Sequence, residues 1–328
     1  MTGVQTCALP IYAASIIYAG EKLFGALSYT TDKVGDTANF DEQQGLVARA
    51  AYLLQSDIDS HLLIGANASD VISPPKAVVR GAPNLSNTPG ATALHSFALN
   101  APPELTVDST GTRLVNTGAL NAEQVTQWGV EAAGNYKNIY LQSGYYDFEV
   151  QRSAQAYRVF TSATASHTQI VHPDDNKFSG WYLQGTWLLT GEQRPYSAAT
   201  AAFTAPRPAN PFSSEGGSGA WEIGVRYSDL NLNDNVNDGT RLVTGWTGAA
   251  NRTYTYYNTV RGGEQQIWTA ALNWYPNSVF KFGLDYQVID VNRQQPPNAV
   301  TTTGTPILPS LGVGQTVQTI ALRAQVGF

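Results

Sequence analysis

The chain has 328 residues, of which 42% are hydrophobic and only 13% charged, well below the roughly 25% charged residues of soluble domains. Its formal net charge of −6, from 19 Lys and Arg against 25 Asp and Glu, argues against nucleic acid as a partner, since phosphate backbones are bound by cationic surfaces. No run approaches the roughly 20 continuous apolar residues of a membrane helix.

The 17 Tyr and 7 Trp suit a surface divided between lipid and water. A chain that spans a bilayer without apolar helices must close its strands into a barrel, because lipid offers no partners to backbone N–H and C=O groups. The competing all-β reading is a soluble sandwich whose apolar face turns inward.

The first residues, MTGVQTCALPI, read as the conceptual translation of a sequencing adapter. Residues 1–11 are therefore expected to be non-native, and 12–328 to be part of one outer-membrane β-barrel domain. Met1 and Cys7 are the only Met and Cys, so the remainder has neither. That is compatible with passage through an oxidising compartment.

From there, period-two alternation recurs over segments of about ten to fourteen residues, the pattern of barrel strands. It predicts strands near 22–31, 43–55 and 60–71. A weaker candidate, 93–107, is interrupted by Pro102 and Pro103, and strand direction does not close across 72–121. A strand near 122–134 follows, with a tight turn expected around Gly134–Asn135. In 179–189, Trp181, Leu183, Trp187 and Leu189 alternate with Tyr182, Gln184 and Thr186. In 219–228, Trp221, Ile223, Val225 and Tyr227 alternate with Glu222, Gly224 and Arg226. After a tight turn at Pro276–Asn277, Phe280, Phe282, Leu284, Tyr286 and Val288 alternate with Lys281, Gly283, Asp285 and Gln287. The last segment sets Ile320, Leu322, Ala324, Val326 and Phe328 against Thr319, Ala321, Arg323 and Gln325. The expected total is about eleven or twelve strands.

Trp181, Trp187, Trp221, Trp268 and Trp274 all fall on the apolar face, as interfacial aromatic girdles require. This favours the barrel over the sandwich. Long Gly-, Pro-, Ser-, Thr- and Asn-rich connections at 151–176, 231–262 and 293–314 fall on one side when strands are counted back from Phe328. The connection 191–217 falls on the opposite, short-turn side. Its length and its Pro-rich sequence TAPRPANPF lead to the expectation that it folds into the lumen and narrows it.

Four strings carry a family resemblance: TRLVNTG (112–118), GWYLQGTWLLTGEQRPY (180–196), GAWEIGVRYSDLNL (219–232) and GGEQQIWTAALNWYPN (262–277). Together, and in this order, they resemble the phosphate-selective porins of the O and P type. The resemblance implies an antiparallel transmembrane barrel of about sixteen strands, of which the first four or so precede this sequence. It further implies a homotrimer in the outer membrane of a Gram-negative bacterium, with connections folded inward. Phe328 resembles the terminal signal read by the barrel assembly machinery.

The residues expected to line the pore are Arg49, Glu131, Tyr182, Gln184, Arg194, Glu222, Arg226, Lys281, Asp285 and Arg323. Arg194 opens the expected inward turn. Anion-selective members of the resembled family line their constriction with a ladder of arginines. Here the stretch before Pro102, ALHSFALNA, has no Arg or Lys, and the lining charges are of both signs. The expectation is therefore a passive channel for small hydrophilic solutes or ions. The alternatives are a phosphate- or polyphosphate-selective anion channel and a plugged, structural barrel.

No enzyme chemistry or cofactor is implied. His167 and His172 sit in a Ser/Thr-rich loop, and His61 and His95 have no nucleophile motif beside them. The run NLNDNVNDG lacks the ligand spacing of a calcium loop, and no phosphate loop ending in Lys-Ser or Lys-Thr is present.

Overall fold

A computed structural model of the protein describes residues 11–33, 43–74, 95–105, 113–247, 251–294 and 312–327. Of the adapter-like residues 1–11 all but Ile11, which begins the first strand, lie outside the described residues, as do Phe328 and most of the 293–314 connection. The fold is all-β, and among the described residues no helix is long and apolar enough to cross a membrane.

Among these residues, eleven long strands form one sheet in sequence order. They are β1 (Ile11–Ala19), β2 (Leu23–Lys33), β3 (Gln44–Ser56), β4 (Ser60–Ser73), β5 (Leu120–Tyr136), β6 (Ile139–Arg152), β7 (Asn176–Leu188), β8 (Ala220–Asp234), β9 (Val260–Tyr275), β10 (Phe280–Gln294) and β11 (Gly312–Val326). Every neighbouring pair is antiparallel. Among the described residues, β1 pairs with β2 alone and β11 with β10 alone.

The alternation in the sequence becomes two chemically different faces. On β9, Ile267, Thr269, Asn273 and Tyr275 are buried, while Trp268 and Leu272 between them are exposed. The exposed face is the apolar one: Leu322 is 84% and Ile320 71% exposed. Such a face is uncovered in water and satisfied in lipid.

Aromatic side chains on this outer face form two rows. Trp128 meets Tyr145 at 5.6 Å, and Trp181, Tyr227 and Trp268 continue the row at 5.2 and 4.7 Å. The second row stacks Trp221, Trp274 and Phe282 at 5.6 Å each. On β9 the rows are separated by the step from Trp268 to Trp274, roughly 20 Å of strand at about 3.4 Å per residue. Beyond the first row the outer face becomes charged: Tyr145 and Tyr227 donate to Asp147 and Asp229, and Lys177 pairs with Glu149 at 3.5 Å. An apolar belt edged by aromatics and then by charge is the profile of a membrane-spanning wall.

Connections divide by end. Residues 20–22, 57–59, 137–138 and 276–279 make short turns at one end, here the turn end. The connections leaving β2, β4, β6, β8 and β10 at the other, loop end are longer. The exception at the turn end is the connection 189–219 between β7 and β8.

Two expectations are corrected. The tight turn lies at Lys137–Asn138, with Lys137 at φ 51°, and Gly134–Asn135 remain inside β5. Asn135 does not use its carboxamide to make a turn; it accepts the His61 backbone N–H at 2.9 Å and donates to the Arg194 carbonyl at 2.7 Å. The expected strand 93–107 is described over 95–105, and there it is not a wall strand, because β4 pairs directly with β5, from Ser60↔Tyr136 to Val71↔Val125. Among the described residues there, two-residue bridges form, Ser96–Phe97 with Leu120–Asn121 and Asn100–Ala101 with Val115–Asn116. Pro102 and Pro103 have no N–H to extend either bridge. The whole span 74–119 is one connection, which resolves the direction of the strands on either side.

The described parts of that connection turn inward. Val115 and Leu120, with Phe97, Leu99, Ala101 and Leu114, pack on Val150, Phe178, Leu232, Ile267 and Ile289 of the inner face. The inner face is therefore apolar in its loop half, where the connection covers it, and polar in its turn half.

Candidate functional site

The polar half of the inner face is bracketed by the two inward connections. At the turn end, 189–219 carries a short hairpin, Tyr196–Ser197 against Ala202–Phe203. Ala201, Tyr196 and Phe203 pack on Phe24, Ala51, Leu53 and Leu63 of β2–β4. Phe203 also sits 5.0 Å from the Tyr140 ring, and Tyr196 stacks on His61 at 5.8 Å. The turn thus lies across the inner face, as its Pro-rich sequence led one to expect.

Three Glu–Arg pairs fix the arrangement. Arg49 on β3 donates to Glu131 on β5 at 2.7 Å, and its two terminal nitrogens hold the Thr200 and Ala201 carbonyls at 2.8 Å. Arg194, in the turn, donates twice to Glu222 Oε1 on β8, at 3.0 and 2.5 Å. Burial works against the Arg194 charge, but the Glu222 carboxylate outweighs it and holds the guanidinium pKa above its ordinary value. Glu222 is 0% exposed; its other oxygen accepts from Asn273 Nδ2 at 3.1 Å and the Tyr275 hydroxyl at 2.9 Å. Arg226 on β8 donates to Glu104 of the loop-end connection at 2.7 Å and to Gln184 at 2.8 Å. Its guanidinium lies over the Tyr182 ring at 4.0 Å, a favourable cation–π geometry.

Between these pairs lies a cavity of about 350 Å³. Gln184, Arg194, Arg226, Lys281, Asp285 and Arg323 line it, together with Leu105 of the loop-end connection and Phe203–Pro206 of the turn. Lys281 lies over the Tyr275 ring at 5.2 Å. Arg323 pairs across the strands with Gly283, between Lys281 and Asp285.

The ten residues singled out in the sequence thus fall into three places. Six line the cavity. Tyr182 supports Arg226, and Glu222 is buried behind Arg194. Arg49 and Glu131 are locked beneath the turn and do not line the cavity. Sequence reading missed Glu104, whose partner lies 122 residues away, because no local pattern marks such a pairing. It also missed Tyr140, Gln142, Asn273 and Tyr275. Asn273 and Tyr275 were accessible to it: they continue the inward alternation of Thr269 and Ala271.

A glycine makes the Tyr182–Arg226 contact possible. A Cβ on Gly144 would stand 2.8 Å from the Tyr182 ring, inside van der Waals contact. Gly144→Ala is expected to push Tyr182 off Arg226 and to destabilise the protein by about 1–3 kcal/mol, the usual cost of overpacking. Thermal melting in detergent checks it; an unchanged transition would mean that the ring is free to move.

An antiparallel sheet with an apolar outer belt, a polar inner face and inward connections defines the class of outer-membrane β-barrels. Comparison with known proteins makes the assignment specific. The family described as phosphate-selective porin O and P matches residues 78–325, and the chain belongs to that family. An uncharacterized protein of Caulobacter vibrioides is 28% identical over 190 residues, 58% of this chain and 30% of its own length. Porin O of Pseudomonas aeruginosa is 25% identical over 173 residues, 52% of this chain and 31% of its own length. The matched stretch is thus under a third of the length of either relative.

Proposed function

We propose that the protein is a passive, weakly selective diffusion channel for small hydrophilic solutes in the outer membrane of a Gram-negative bacterium, working as a homotrimer, with no catalytic role. The residues that line the cavity are its pore lining, the loop end faces the medium and the turn end the periplasm. The observation that carries this reading is the pairing of Arg194 and Arg226, which line the cavity, with Glu222 and Glu104. Lining arginines that are matched by carboxylates leave only a weak net field for selecting anions. On this reading the name of the family does not describe the preference of this member.

One observation favours the second reading, an anion-preferring channel for phosphate or polyphosphate. Lys281 and Arg323 both line the cavity, and Arg323 has no hydrogen bond or ion pair among the described residues. Single-channel conductance of the native gene product in planar bilayers, with reversal potential under a salt gradient, separates the two. Conducting steps with a small reversal potential support the weakly selective channel. A strongly anion-selective current blocked by phosphate supports the second reading, and a folded barrel without steps would overturn both in favour of a plugged, structural barrel.

The membrane orientation of the faces has its own test. Leu284 is exposed on the outer face, and Leu284→Arg is expected to cost about 2–4 kcal/mol if it faces the lipid interior. The measurement is urea unfolding from phospholipid vesicles. A loss under about 0.5 kcal/mol would place Leu284 in water, since exposed surface substitutions stay within that range.

A further inference from the structure

The loop end carries a second cavity, of about 420 Å³, within the roughly 300–1,000 Å³ range of small-molecule sites. It is built between the loop-end connections. Hairpin 155–160/166–171 follows β6, and hairpin 241–247/251–256 follows β8. The two hairpins pack together through Val159, Val171 and Leu242, with Tyr157 and Tyr257 against them. Asn258 ties them further, donating to Asp174 at 2.9 Å and accepting the Asp174 N–H. The cavity is therefore held by its own small core.

Its lining differs from that of the first cavity. Arg152, Arg261, Tyr157, Tyr256 and Tyr257 line it with Gln155 and other polar residues, and no carboxylate is among the described lining residues. Arg152 is held by carbonyl oxygens, its Nε donating to Asn121 O at 3.1 Å and its Nη1 to Asn176 Oδ1 at 2.6 Å. The nearby Asp175 takes the Arg152 backbone N–H at 2.9 Å, not the guanidinium. The positive charge is thus oriented without a carboxylate bound to it, unlike Arg49, Arg194 and Arg226. Gln155 Oε1 accepts the Tyr157 hydroxyl at 2.7 Å, which fixes that side chain.

We propose that this cavity is a binding site for a hydroxylated, ring-shaped organic anion of the sugar phosphate class. Guanidinium N–H groups match phosphate oxygens; tyrosine rings offer apolar faces to a sugar ring, and their hydroxyls and the carboxamides its hydroxyl groups. Inorganic phosphate would use the guanidinium groups and leave the aromatic lining unused. The site depends on loop-end geometry and not on conduction, so a non-conducting barrel would still bind.

Isothermal titration calorimetry on the native gene product in detergent tests this with glucose 6-phosphate, glucose and inorganic phosphate as probes. Saturable binding of glucose 6-phosphate is expected, about tenfold or more tighter than either other probe, since each supplies one half of the contacts. Arg152→Gln is expected to abolish it. Because Arg152 also anchors β6, Gln155→Ala serves as the second variant, with an expected loss of about tenfold in glucose 6-phosphate affinity and an unchanged melting transition. No saturable heat with glucose 6-phosphate on folded wild type, or equal affinity for inorganic phosphate, would overturn the proposal.

Discussion

Replacing Glu104 with Gln is expected to move the proposed channel toward anion preference while leaving its fold intact. Glu104 reaches Arg226 from the inward loop-end connection, and its Oε1 accepts the Arg226 Nε–H at 2.7 Å. A glutamine keeps an oxygen at that position, so the hydrogen bond and the Tyr182 stack survive and only the charge is lost. Arg226 lines the cavity with its side chain 20% exposed, so its uncancelled charge would act on passing ions. A unit charge about 7 Å from an ion's path contributes roughly 0.6 kcal/mol in a water-like dielectric. That is about a threefold change for each ion, in opposite directions for anion and cation, and so roughly a sevenfold change in their permeability ratio, more where low-dielectric walls focus the field. Reversal potential under a salt gradient reads it directly. An unchanged potential would mean that ions do not pass Arg226, and the cavity would lose its claim to be the lumen. The same substitution at Glu131 is the control, because Arg49 and Glu131 do not line the cavity.

The second large effect is on stability. Arg194→Ala removes the guanidinium that donates twice to Glu222, leaving a fully buried carboxylate bonded by neutral donors, Asn273, Tyr275 and Thr186. Breaking a buried pair from one side typically costs about 3–5 kcal/mol, since the charge left behind is uncompensated. The turn 189–219 would also lose an anchor next to its start. Thermal melting and urea unfolding in detergent should show the loss, and conductance should rise if the turn swings out of the lumen. Arg194→Ala combined with Glu222→Gln should recover a large part of the loss, because the orphaned charge goes with its partner. If the single variant melts close to wild type, the pair is an incidental contact, and the turn is held by Tyr196, Phe203 and the Arg49 bonds to its carbonyls.

How much of this was legible in the sequence follows from the range of each interaction. The faces of β7, β8, β10 and β11 were read correctly because strand alternation is local: Trp181 against Tyr182, or Phe282 against Lys281, needs no knowledge of the rest of the chain. The inward course of 189–219 could be inferred from length and strand direction. The turn after β5 was misplaced because Gly134–Asn135 has turn chemistry but is used in tertiary contacts, while Lys137 takes the positive φ. The span 74–119 was opaque for a related reason. Its apolar residues Phe97, Leu99 and Val115 have the composition of a strand, yet beyond two-residue bridges they meet the inner face by side-chain packing and form no wall strand. In the site, sequence reading named members of every Glu–Arg pair but could not match Arg226 with Glu104.

The separations within those pairs also bear on the order of assembly. Adjacent strands are joined by short turns at one end, so much of the wall can zip up through contacts close in sequence. Arg49 and the Thr200 carbonyl of the turn are 151 residues apart, Arg226 and Glu104 122, and each of these contacts joins an inward connection to a wall strand distant from it in the chain. Contacts with high loop-closure entropy tend to form late. A newly inserted wall would therefore pass through an interval in which its interior is still unobstructed, and only the docking of two tethered segments would bring it to working bore. Quality control of such a protein has to judge the filling of the interior as well as the wall itself.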